Sequence, residues 1–162
     1  MLFLSAHTAL AAEKALNIIY TGAMRGELEP CGCSPETQSG GLARLSGYIM
    51  EQKAALSPYI LVDSGNTFAV NTAQGRLKTE AQLRSFSMMG FDAAAVNINK
   101  ASVDAAFVSR LVKEHRVAAL PERGAIKAVK GGLKINISSD ARILKKGMIN
   151  ILLSGKPLAE LK

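Results

Sequence analysis

The residues of this chain best suited to chemistry are Cys31 and Cys33, its only two cysteines, separated by Gly32. Two thiols serving only as small core residues have no reason to share one loop. Nor is a Cys-x-Cys pair an effective staple, because stabilisation by a disulfide grows with the loop that it closes. The spacing does suit reactivity. The sulfurs can join only through a distorted ring, and a strained disulfide is readily reduced. Kept reduced, the two thiolates can hold a soft metal ion. Nearby charges pull in both directions, with Arg25 and Arg44 favouring thiolate and Glu27, Glu29 and Glu36 opposing it.

Placing such a loop takes a scaffold, and the chain supplies one in repeating units. An apolar run, Leu16–Tyr20, predicts a first strand, and a long Gly-punctuated loop over 21–40 carries the cysteines. Leu42, Leu45, Ile49 and Leu56 recur at helical spacing and predict a helix over 42–55. Residues 58–63 predict a buried strand ending in Asp63. A helix over about 76–89 follows, rich in Leu77, Leu83, Phe86 and Met88. Then come a third strand at Ala93–Val96, a helix over 102–114 and a short fourth strand at Val117–Leu120, before Pro121. From there the style changes. Two apolar runs flank Lys130-Gly131-Gly132 and predict an antiparallel hairpin. Ser139 or Asp140 can cap a short helix to Lys146, and 148–153 is a last strand. Alternating strands and helices predict an α/β fold with a mainly parallel sheet flanked by helices. In such sheets ligands sit beyond the carboxyl ends of the strands, here in the loops starting at Thr21, Asp63 and Asn97.

Composition sets bounds on this reading. With 162 residues, 48% hydrophobic, the chain can build one domain around a real core. No apolar stretch reaches the roughly 18–20 residues of a membrane span. The net charge of +7 sits in the last third, where residues 100–162 carry 13 Lys/Arg against 5 Asp/Glu. A basic face can meet phosphates, an anionic membrane or an acidic partner. No aromatic residue follows Phe107, so there is no stacking platform, nucleic acid is not expected as a partner, and these lysines read as solvated surface. Met1 to Ala12 reads as the tail of a secretion signal, with Leu2-Phe3-Leu4 followed by a small-x-small pattern at Ala9–Ala11. Residues 13–162 would then be one exported domain, periplasmic or extracellular, in a compartment where a disulfide persists.

Four segments in register resemble the calcineurin-type metallophosphoesterases, in their 5'-nucleotidase branch. They are Tyr20–Leu28, Gly40–Arg44, Asp63–Phe68 and Gly90–Lys100. The family reads T-N-D-x-H-G-x-L, G-G-L-A-R, D-x-G-D-T-F and G-[FY]-D-A-hydrophobic-G-N-H-E at these places. The resemblance implies the first half of a four-layer sandwich, with a dimetal site that hydrolyses phosphate esters. At the ligand positions this chain instead has Ala23, Arg25, Asn66, Ile98 and Asn99, and the last strand offers Gly155 where the family has a histidine. Two activating metals need several imidazoles and carboxylates converging on one cleft. The chain has two histidines, His7 in the leader and His115, the latter read as an exposed helix end. A fixed cation such as Arg25 also disfavours a divalent ion. Residues 26–44, with Pro30-Cys31-Gly32-Cys33, more narrowly resemble the UshA-like (seleno)proteins, some of which carry selenocysteine in this motif. That resemblance implies thiol chemistry.

The sequence thus leads to an exported 5'-nucleotidase-like domain that has lost its dimetal ligands, with Cys31 and Cys33 as the reactive groups. Thr21, Arg25, Asp63, Asn66 and Asn99 are expected to line the neighbouring cleft. No cofactor is implied beyond a metal held by the two thiolates. A redox partner protein or a phosphate-containing small molecule would be the counterpart. A second reading is a non-catalytic module holding an anion or nucleotide near Arg25, Asn66 and Asn99; a third is a working metallophosphoesterase. Half a sandwich would bare an apolar sheet face, from which homodimerisation is expected.

Overall fold

The computed structural model describes residues 15–96, 104–121 and 123–154. The expected secretion signal, Ile98, Asn99 and Gly155 lie outside the described residues. Strand β1 (Asn17–Thr21) runs parallel to β2 (Tyr59–Asp63), and β2 runs parallel to β3 (Ala93–Ala94). β2 is central and nearly all buried, which is why its sequence is an unbroken apolar run rather than an alternating one. The expected fourth strand contributes only a single parallel bridge between Ala94 and Ala119. Pro121 follows at once and has no N–H to extend the ladder.

Helix α1 (Leu42–Gln52) buries Leu42 and Ile49, with Leu45 packed partly against the same core. It ends short of Ala55, giving way to turns before Pro58. Helix α2 (Ala73–Met89) begins earlier than its apolar pattern suggests, because Thr72 caps it through the Gly75 amide at 3.0 Å. Gly90 ends it in the left-handed conformation, with φ 73°. The buried face of α2 is Thr79, Gln82, Leu83 and Phe86, at i, i+3, i+4 and i+7. Leu77 and Met88, named with Leu83 and Phe86 in the sequence pattern, are exposed. Helix α3 (Ala105–Glu114) is capped by Asp104, whose Oδ1 accepts from the Ala106 amide at 2.9 Å. His115 forms its C-cap and is half-buried, so the expectation of an exposed histidine is corrected.

The hairpin forms as β4 (Ala125–Lys130) and β5 (Leu133–Ser138), turning through Gly131 and Gly132 at φ 56° and 76°. Two positive φ angles are what a two-residue hairpin turn requires. A three-residue 3-10 turn at Ala141–Ile143 replaces the expected short helix, and β6 (Ile149–Leu152) pairs parallel with β5.

Pleating sends alternate residues of the parallel sheet to opposite faces. Leu61 and Ala94 face the helices, where they join Leu83, Phe86, Phe91 and Leu111. Ile60, Val62, Ala93 and Ala95 face the second sheet and meet Ile135, Ile137 and Ile151. The helices therefore flank one face only, and the β4–β6 sheet covers the other. The bare sheet face from which a dimer was expected is filled. Lys130 Nζ ties the two sheets at 2.7 Å from Asp92 Oδ1. Among the described residues no helix is long and apolar enough to cross a membrane.

Candidate functional site

The loops after β1 and β2 are zipped together by backbone hydrogen bonds. The Ala23 amide donates to Gly65 O at 2.8 Å, Arg25 to Asn66 O at 3.0 Å and Gly26 to Thr67 O at 2.7 Å. Running two loops this closely demands unusual backbone. Ala23, Arg25 and Asn66 all have positive φ, near 50–55°, a region that asparagine tolerates and most residues avoid. Gly26, at φ 83°, lies where a Cβ would collide with Ala69.

Asp63 anchors this arrangement. It is buried at the end of β2, where Oδ2 accepts from Thr21 Oγ1 at 2.8 Å. Its Oδ1 accepts from Thr67 Oγ1 at 2.6 Å and from the Gly65 amide at 3.0 Å. Burial raises its carboxyl above the ordinary value of 3.8, and the bonds from Thr67, Thr21 and Gly65 oppose that shift. Thr21, Asp63 and Asn66 thus come together at adjoining strand ends. Asn66 meets Arg25 through backbone atoms, and the Arg25 side chain is exposed.

Cys31 and Cys33 lie on a separate excursion of the first loop. The Cys31 amide donates to Ser39 O at 2.9 Å, and the Ser39 amide returns to Cys31 O at 2.9 Å. Between these arms a tight turn closes on Ser34, which accepts from the Thr37 amide at 3.0 Å and the Thr37 hydroxyl at 3.0 Å. Gly32 sits at φ 155°, and a Cβ there would stand 2.7 Å from the Gln38 backbone. Pro30 closes over Gly41, and the Leu42 amide donates to Leu28 O at 2.9 Å, fastening the excursion to the start of α1. Both thiols are free and exposed. Glu36, at the tip, is held below the ordinary carboxylate range by a hydrogen bond with Ser34.

A groove of about 590 Å³ runs between the end of β1 and the first turns of α1. Thr21, Gly22 and Met24 line one side, and Arg44, Leu45 and Tyr48 the other, with Tyr20 at the rim. Tyr20 is 75% exposed and Tyr48 52%. Of the described residues expected in the cleft, Thr21 lines this groove and Arg25, Asp63 and Asn66 do not. Tyr20, Met24 and Tyr48 were not singled out from sequence. Their signal was a tyrosine on an edge strand and another on the exposed side of an amphipathic helix. Arg44 links the groove to the cysteine excursion, its Nη1 donating to Gln38 O at 3.2 Å.

The arrangement of strands and helices recurs in the structure of another protein. A 5'-nucleotidase precursor from Thermus thermophilus superposes with a TM-score of 0.63 at 16% identity, over 83% of this chain. The chain shares the 5'-nucleotidase fold. It spans 28% of that protein's length. No protein family and no curated protein matches the sequence. At 16% identity the likeness concerns the fold, so the chemistry must be judged from the donors present. The dimetal site implied by the sequence resemblance would fall near Asp63, Ala23, Arg25 and Asn66. The Asp63 oxygens are engaged by three donors, and Ala23, Arg25 and Asn66 offer no anionic ligand. Among the described residues no three His, Cys, Asp or Glu side chains group to hold a metal ion.

Proposed function

We propose that this chain is a 5'-nucleotidase-fold module, exported and UshA-like, that has exchanged dimetal hydrolysis for thiol chemistry at Cys31 and Cys33. The observation that carries the reading is the pair of free, exposed sulfurs on a loop whose arms are locked by the reciprocal Cys31–Ser39 bonds. A fixed backbone spends little entropy on bringing the thiols to a partner. In the redox form, the dithiol passes two electrons and two protons to a partner's disulfide, which becomes a dithiol as Cys31–Cys33 closes. In the metal form the two thiolates donate to one soft ion, whose remaining ligands come from elsewhere. Thiol titration before and after mild reductant, with metal analysis of the same sample, separates them. A change of two titratable thiols supports the redox form, and a stoichiometric metal lost on Cys→Ser substitution supports the other. Thiols that never interconvert and bind no metal overturn both. Manganese-dependent phosphatase assays on that sample are expected to show no turnover; turnover would restore the hydrolase reading.

A second reading rests on the groove. Arg44 keeps further N–H donors beyond the one given to Gln38, enough for a bidentate contact with an anion. Arg44, rather than Arg25, is the arginine on this groove. Phosphate or a nucleoside monophosphate should raise the Tm of the Cys31→Ser/Cys33→Ser protein, and Arg44→Met should abolish the shift. No shift with either ligand removes this reading.

A further inference from the structure

The outer face of the second sheet plays no part in the reading above. Ile126, Ala128, Ile135 and Ile137 turn toward the core between the sheets. The pleat therefore sends Lys127, Val129, Lys134 and Asn136 outward. Register sets Lys127 against Asn136 and Val129 against Lys134. The segment joining β5 to β6 is strapped across this same face by two asparagines. Asn136 Nδ2 donates to Ile143 O at 3.0 Å. Asn150 Oδ1 accepts from the Lys145 amide at 2.9 Å, and its Nδ2 donates to Lys145 O at 3.0 Å. Leu144, Lys145 and Lys146 thus join Lys127, Val129 and Lys134 on one side of the molecule.

Among the described residues, acidic side chains leave most of the charge of this face unbalanced. Residues 123–154 hold seven Lys/Arg and one acidic residue, Asp140. Arg142 occupies Asp140 at 2.7 Å, and Lys130 is turned to Asp92. Among the described residues no ion pair involves Lys127, Lys134, Lys145 or Lys146. Between these cations stand two apolar side chains, Val129 at 68% and Leu144 at 51% exposure. Solvated lysines alone would be ordinary surface. Lysines interleaved with exposed aliphatic side chains match a partner that is anionic at its surface and apolar beneath.

We propose that this face docks on an anionic lipid bilayer, its four lysines over the headgroups and Val129 and Leu144 entering the interface. Basic residues near an anionic leaflet each contribute about 1 kcal/mol, and aliphatic side chains add burial in the headgroup boundary. Nucleic acid suits the face less well, since it offers no aromatic ring to stack on, and Arg142 is already bound to Asp140.

Co-sedimentation of the full chain with vesicles tests this. Phosphatidylglycerol–phosphatidylcholine vesicles should retain the protein, pure phosphatidylcholine should not, and added salt should release it. Lys127→Gln and Lys134→Gln should each weaken partitioning about fivefold, the equivalent of about 1 kcal/mol. Val129→Ser with Leu144→Ser should weaken vesicle binding while leaving any binding to a single-stranded oligonucleotide unchanged. All these positions are exposed, and circular dichroism of each variant confirms that it is folded. Failure to bind either vesicle, equal binding to both, or insensitivity to the substitutions overturns the proposal. Tighter binding to the oligonucleotide than to the anionic vesicles overturns it in favour of nucleic acid.

Discussion

Asp63 is a buried carboxylate whose three donors come from the last residue of β1, Thr21, and from Gly65 and Thr67 in the loop after β2. Replacing Thr67 with Val removes the shortest of these bonds and leaves the buried Oδ1 with the Gly65 amide as its one remaining donor. The expected loss is about 2 kcal/mol in denaturant unfolding. A pH experiment reads the carboxyl directly. Its proton is held more tightly in the folded state than in the unfolded chain, because burial raises its affinity. The contribution is fully present below the unfolded value and is lost as pH rises through the folded one. Relative to Asp63→Asn, which does not titrate, the wild type should therefore gain stability as pH falls from neutral toward 3.8. Parallel pH profiles for the two proteins would show that the carboxyl is not perturbed. Arg25 and Asn66 matter here as backbone more than as side chains: their shared hydrogen bond is made by main-chain atoms in left-handed conformations.

At the scale of elements, the zipped β1 and β2 loops depend on one glycine. Gly26 combines φ 83° with a Cβ position already filled by Ala69. Gly26→Ala should cost about 3 kcal/mol, summing backbone strain and overpacking. Gly40, at φ 75° with open space around it, serves as the control. Gly40→Ala should cost only the backbone share, about 1 kcal/mol. Equal costs at the two positions would show that close approach plays no part. The sequence marked this region well, since glycines, prolines and cysteines punctuate it. It could not show that the cysteine excursion and the strand-end cleft are separate structures. Both lie in one loop of the chain, and only the Cys31–Ser39 pairing and the Pro30–Gly41 contact divide them.

Across the whole molecule, two cores share one parallel sheet, and the helix-side core contains a misfit. Gln82 is fully buried on α2, and neither its Nε2 nor its Oε1 has a hydrogen-bond partner. An unmet buried amide costs more than an apolar side chain of similar length. Gln82→Met should raise stability by about 1 kcal/mol, seen as a higher denaturant midpoint at unchanged slope. A lower midpoint would show that the amide has a partner worth keeping. The same helix shows what residue type leaves open: polar Gln82 is buried, while apolar Leu77 and Met88 are exposed. Helix periodicity fixes which residues share a face, but the packing partner selects the face, and α2 lies against β2 with its Thr79–Phe86 side inward.

What the sequence determined by itself was the order of elements, the parallel sheet, the hairpin and the position of the cysteines in the first strand-end loop. These follow from local periods, caps and turn residues, which act over a few residues. Only the tertiary structure decided the rest. It placed a second sheet, not helices, on the far face of the parallel one. It spent Asp63 on bracing two loops and set Arg44 beside the groove. It also gathered lysines from β4, β5 and the strap after β5 onto one surface. Each of these depends on segments far apart in the chain meeting across a core, and no local pattern encodes which faces will meet.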